Sequence, residues 1–151
     1  MNIVKHTFLA ASIALVFVGT AQAQGDLSRK NVITVTMEMG SNDTGMYLKP
    51  KHYTFVTGQA YKLVMKNVDE IKHELALNEM FEKIFTRKIE ASDKDGNLIT
   101  EVKGSIREVE VGPKQAVEWF FVPVQNMKLG DLTCEIPGHK EAGMVATATI
   151  K

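Results

Sequence analysis

Hydrophobic alternation with a period of two, repeated in short runs along most of the chain, limits the fold more than any other feature. Ile33, Val35 and Met37 alternate with Thr34 and Thr36, Tyr53 and Phe55 flank Thr54, and Tyr61, Leu63 and Met65 share one face of 60–67. His73, Leu75 and Leu77 form a further set, and Val109 and Val111 alternate with Glu108 and Glu110 in 106–111. Residues two apart lie on one face of a strand, so each run buries one face and wets the other. Residues 116–124 are apolar or aromatic on both faces and read as a central, well-buried strand. Segments 129–134 and 145–150 add two more strands. Turn signals separate the runs: Gly40 to Gly45, Gly58-Gln59, Asp93 to Asn97, and Gly112-Pro113. The turn at 93–97 joins 88–91 to 98–102 as a hairpin. It has the flavour of a calcium loop, but its glycine is misplaced and no Glu closes it. Only 78–85 changes period: Met80, Phe81, Ile84 and Phe85 fall at helical spacing and predict one short helix. Many short strands with at most one short helix describe an all-β sandwich or barrel.

The first residues read differently. Lys5 and His6 precede an apolar run from Phe8 to Val18, and Ala21-Gln22-Ala23 follows as a small-x-small cleavage site. This is the layout of a secretory signal peptide, expected over 1–23. The run is shorter than the ~20 residues a bilayer span needs, which disfavours an uncleaved membrane anchor. The mature chain is then one domain, 24–151, long enough to bury a core without disulfide staples. Lys plus Arg and Asp plus Glu each number 18, and no basic stripe points to nucleic acid.

Export places the chain where disulfides persist, yet it has one cysteine, Cys134. A lone cysteine there pairs between chains, reacts, sits buried as a small hydrophobe, or binds a metal. Its neighbours favour the metal. In Cys134-Glu-Ile-Pro-Gly-His139-Lys-Glu-Ala-Gly-Met144, a thiol, an imidazole and a thioether occur at even spacing in a turn between two strands. Soft sulfur with imidazole suits copper better than magnesium or calcium, and one Cys, two His and a weak axial Met make up the ligand set of blue-copper sites. The second histidine comes from elsewhere. Of the four in the chain, His6 lies in the leader, leaving His52 and His73 beside His139. His73 starts an apolar strand on its inward face; His52 reads as a strand entrance near solvent. The expected metal ligands are therefore His73, Cys134, His139 and Met144. Met37, Met39 and Met46, with His52, offer a second, softer copper site, although methionines of this kind are more often core. Trp119 reads as packing.

The C-x4-H-x4-M loop before a final strand, with an isolated His well upstream, resembles the cupredoxins, the family of plastocyanin and azurin. The resemblance covers the layout of the whole mature chain and the C-terminal loop in detail. It implies a Greek-key β-sandwich with one short helix inserted and a single type 1 copper ion at one end. It also implies a one-electron carrier whose redox partners (a cytochrome or a copper enzyme) dock near His139 on a rim of Pro137, Gly138, Ala142 and Gly143; the leader places the carrier in the periplasm, and a monomer is expected. Two departures stand out. Many cupredoxins follow the first histidine with an Asn that ties the ligand loops together, and here Glu74 takes that place. The stretch 78–104 is longer than the smallest members need.

Three functions compete: an electron carrier, a periplasmic copper-binding or copper-tolerance protein using the same site, and an enzyme. Four protein ligands leave no open position for substrate, and an oxidase would need more histidines than the chain has. A Cys134–His nucleophile pair is the remaining catalytic option. The carrier is the expectation, without enzymatic activity.

Overall fold

The computed structural model describes residues 31–151; the expected leader and its cleavage site lie outside the described residues. The strands are β1 (Ile33–Asn42), β2 (Gly45–Lys49), β3 (His52–Phe55), β4 (Tyr61–Asn67), β5 (His73–Ala76), β6 (Ile84–Ser92), β7 (Leu98–Val102), β8 (Glu108–Val111), β9 (Ala116–Pro123), β10 (Met127–Thr133) and β11 (Val145–Ile150). They form a Greek-key β-sandwich. One sheet has the order β2-β1-β4-β9-β6-β7 and the other β3-β11-β10-β5-β8. Both are mixed, since β1 runs parallel to β4 and β3 parallel to β11.

The inward residues of both sheets meet in one core that includes Met37, Leu63, Met65, Leu75, Leu132 and Ala148. Phe121 lies at its centre, edge-on to Phe55 at 5.2 Å between ring centroids and stacked with Tyr61 at 5.7 Å. As expected, β9 is central, between β4 and β6, and Trp119 is a packing residue whose indole N–H donates to Thr86 Oγ1. On the other face of β9, Phe120 lies under the ammonium groups of Lys62 and Lys88, so both faces of the strand are covered.

Two expectations are corrected. The loop expected at Gly40 to Gly45 is instead the tip of a hairpin: β1 continues to Asn42, and Ser41 and Asn42 pair with Met46 and Gly45 of β2. Asn42 turns the chain by accepting the backbone N–H and hydroxyl of Thr44, the local bonding that makes Asn frequent in turns. The helix expected over 78–85 is a single 3-10 segment, Asn78–Lys83. Ile84 and Phe85 leave it to pair with Pro123 and Val122 of β9, so tertiary pairing overrides a helical pattern of two turns. Ile33 shares the face of Met37 but is exposed. The 93–97 turn does join a hairpin, β6 to β7, with Asp93 Oδ1 accepting the N–H groups of Asp95 and Asn97.

Phe121→Ala should therefore remove about 3–5 kcal/mol of stability, the usual loss for a buried aromatic. The shift of the chemical-denaturation midpoint measures it, and a change below ~1 kcal/mol would place the packing centre elsewhere.

Candidate metal centre

The antiparallel contact between β5 and β10 pairs their last residues, Ala76 and Thr133, so the chain that follows β10 runs back along β5 toward its start. His73 opens β5 and Cys134 follows β10 directly. His139 comes from the loop between β10 and β11, folded back by tight turns: His139 N–H donates to Ile136 O, Ala142 N–H to Gly138 O and Gly143 N–H to Lys140 O. Gly138 and Gly143 both have positive φ, the conformation glycine adopts most cheaply.

His73, Cys134 and His139 converge, their donor atoms all within 4.8 Å of one another. The Nδ1 atoms of His73 and His139 lie 3.3 Å apart, and Cys134 Sγ lies 3.4 Å from His139 Nδ1. With metal–N bonds near 2.0 Å and metal–S bonds near 2.3 Å, two donors on one tetrahedral or trigonal ion lie roughly 3.3–3.8 Å apart. The donor set and these two separations thus fit a single soft or borderline metal ion. His73 and Cys134 are fully buried, whereas His139 is partly exposed.

Met144 is fully buried at the foot of the same loop. Its backbone closes the loop: Cys134 N–H donates to Met144 O, and Met144 N–H to His139 O. The β1–β2 hairpin braces this limb. Met46 N–H donates to Ala142 O at 2.8 Å, and Lys51 Nζ donates to the carbonyls of Gly143 and Val145 on either side of Met144. The approach is close enough that a Cβ on Gly45 would clash with Ala142 O.

Around the thiol, the backbone N–H of Glu74 donates to Cys134 Sγ at 3.4 Å. The Glu74 carboxylate accepts the backbone N–H of Glu135, so it spans the two ligand segments where many cupredoxins use Asn. Burial, and then Glu108, push this carboxyl above its ordinary value. On the far side of the site, His73 Nε2 lies 2.8 Å from Asp69 Oδ2. Asp69 and its support, Asn67, escaped the sequence reading; a carboxylate four residues before a histidine in a turn carries no periodic or motif signal.

Electrostatics prepare the donors differently. Burial pushes the Cys134 thiol above its ordinary value, only partly offset by the N–H groups of Glu74 and Ile136. Burial and the neighbouring His73 ring hold His139 below its ordinary value, against the pull of Asp69. At neutral pH the metal-free site therefore holds a protonated thiol and a neutral imidazole.

Of the remaining candidates, His52 is not part of the donor group. Met37 and Met39 lie fully buried in the core and Met46 packs against it, which supports their reading as core. His52 is exposed on β3, its Nδ1 against Thr147 Oγ1.

No protein-family model and no curated protein matches the sequence. The fold does match solved structures. It is similar to the McoA multicopper oxidase from Aquifex aeolicus, at 13% identity and a TM-score of 0.60 over 80% of this chain and 29% of that one. It is similar to the copper-containing nitrite reductase NirK from Thermus scotoductus, at 13% identity and 0.60 over 79% and 31%. The copper nitrite reductase from Nitrosomonas europaea aligns at 9% identity and 0.59 over 79% and 49%. The chain spans about a third to a half of the length of these proteins. The fold is a cupredoxin-like Greek-key β-sandwich, and it carries a His-Cys-His donor cluster.

Two outcomes follow from the site. Gly45→Ala should cost more than about 1 kcal/mol, because a side chain is disfavoured at φ +132° and its Cβ meets the ligand loop; thermal melts of the metal-free protein measure this, and an unchanged melt contradicts the bracing. The stability drawn from a neutral His139 is complete above its unfolded-chain value of 6.5 and is lost as pH falls below it. That drawn from a protonated Cys134 is complete below 9.0 and is lost as pH rises through the raised folded value. Metal-free protein should accordingly lose stability on both sides of this window, and Cys134→Ser should flatten the alkaline arm in denaturation series across pH.

Proposed function

We propose that this chain binds one copper ion through His73, Cys134 and His139, with Met144 as a weak axial ligand, and passes single electrons between redox proteins. The observation that carries the reading is the convergence of two imidazole Nδ1 atoms and one thiol at the end of a rigid sandwich. Thiolate with imidazole is the donor chemistry that suits copper, and the structurally similar proteins named above are copper proteins by name. Bound copper supplies a one-electron couple at this site.

The chain's own residues do the rest. The sandwich and the braced loop hold the donors in one arrangement, so that a change of oxidation state requires little movement. Glu74 N–H, donating to the sulfur, stabilises the thiolate. His139 is the one histidine of the cluster with an edge toward solvent, beside exposed Pro137, Gly138 and Ala142; that rim is where a cytochrome or copper enzyme would dock on a monomer. Burial of Cys134 and its raised thiol oppose a role as a free nucleophile. A copper-binding or copper-tolerance role would use the same four donors, so transfer kinetics separate it from the carrier; Met37 and Met39 are committed to the core. Among the described residues no helix is long and apolar enough to cross a membrane. Export to the periplasm is part of the proposal and rests on the N-terminal sequence.

Titration with Cu(II) should develop an intense thiolate-to-copper visible band that saturates at one ion per chain and releases about one proton per ion near pH 7, as the thiol ionises. Cys134→Ser should abolish the band. A wild-type protein with no such band, or with the band retained in the serine variant, would overturn the assignment. Reduced protein should also reduce an oxidised cytochrome rapidly, and sluggish transfer to every plausible partner would argue for storage instead.

A further inference from the structure

We propose that Asp69 is the positioning residue of this centre: it fixes His73 with its proton on Nε2 and its Nδ1 bare, and its charge biases the loaded site toward the oxidised ion. The second half rests on the copper reading above; the first does not.

The His73 ring is fully buried. Its two polar contacts are His139 Nδ1 on the donor side, at 3.3 Å, and Asp69 Oδ2 behind it, at 2.8 Å. An ionised carboxylate only accepts hydrogen bonds, so the Nε2 that faces it carries the proton and Nδ1 is left with its lone pair toward the cluster. Without that acceptor only the contact with His139 Nδ1, which donates or accepts according to its own tautomer, would bias the ring, and a proton on Nδ1 would occupy the position a metal must take.

Asp69 is itself held from several sides. Its side chain is 13% exposed. Ser41, near the tip of the β1–β2 hairpin, donates to its carboxylate from both backbone and side chain. Its own N–H donates to Asn67 Oδ1, and Lys114 N–H donates to its carbonyl. Asn67, buried at the end of β4, is anchored in turn through Nδ2 to the carbonyls of Ile71, Val111 and Gly112. A hydrogen-bonded chain therefore runs from a core strand to the back of a candidate ligand, the arrangement by which outer residues orient a metal-bound histidine and raise its basicity. A fixed negative charge one imidazole away favours Cu(II) over Cu(I).

Asp69→Asn keeps an acceptor oxygen of nearly the same shape and removes the charge; Asp69→Ala removes both. On metal-free protein, nitrogen NMR of the His73 ring should report a single Nε2–H tautomer in wild type and in Asp69→Asn, and a mixture in Asp69→Ala. A mixture in wild type, or a single tautomer in the alanine variant, overturns the positioning role. On copper-loaded protein, Asp69→Asn should lower the Cu(II)-over-Cu(I) preference about tenfold, read as a reduction potential raised by ~59 mV. Asp69→Ala should weaken Cu(II) binding by about 10–100-fold. An unchanged potential in Asp69→Asn overturns the charge effect, whereas a merely structural role would alter stability and leave the potential in place. If wild type takes up no copper, the copper reading and the charge effect fall together, and the NMR result on the metal-free chain still decides the tautomer.

Discussion

The pairing of Thr133 with Ala76 across β5 and β10 is the contact on which the site depends. The two strands run antiparallel, so this one register lays Cys134 and the residues after it alongside the start of β5, where His73 and Glu74 stand. The thiol then accepts the Glu74 N–H, and the ligand loop needs only a tight return to bring His139 against both. A shift of one residue would turn His73 to the opposite face of its sheet and separate the imidazole from the sulfur. The buried positions of β5, His73 and Leu75, with Leu77 just beyond the strand also inside, oppose that shift through the hydrophobic effect.

The β1–β2 hairpin has a second job besides closing one edge of its sheet. Through Ser41 it reaches the carboxylate behind His73, and through Met46 it holds the limb of the loop that ends in Met144. A hairpin outside the His73, Cys134, His139 cluster therefore braces both segments that carry it. Such support lets donor groups keep one geometry in a surface loop, where backbone is otherwise free to move. At the position where many cupredoxins carry a tethering amide the chain has Glu74, whose carboxylate faces the Glu135 N–H and whose Oε1 is buried without a hydrogen-bond partner.

Much of this was legible in the sequence, for physical reasons that differ by element. Strands β4, β5, β9 and β11 are half-buried or wholly buried, so the two-residue period or the continuous apolar run is written into them. Cys134 and His139 are separated by a short loop, so their spacing alone places them together. His73 was identifiable because a histidine in phase with buried leucines is unusual. The tip of the β1–β2 hairpin was hidden: Gly40, Ser41, Asn42, Asp43 and Thr44 have the composition of a loop, and only cross-strand pairing makes Ser41 and Asn42 extended. The 78–85 segment misled for the opposite reason, since two helical turns of apolar spacing weigh less than the edge that β9 offers Ile84 and Phe85. Asp69 was invisible because its role depends on contacts with Ser41 and His73, which no local pattern encodes. The meeting of distant residues around the thiol belongs to the topology, and the sequence supported it through the family resemblance more than through periodicity.

X-ray absorption at the copper edge of the loaded protein tests the central claim most directly. A first shell of one short thiolate sulfur and two imidazole nitrogens is the expected result, with any thioether contribution long and weak. A shell of nitrogen and oxygen donors alone would mean that the buried sulfur is not a ligand, and that the cluster of His73, Cys134 and His139 is a feature of packing.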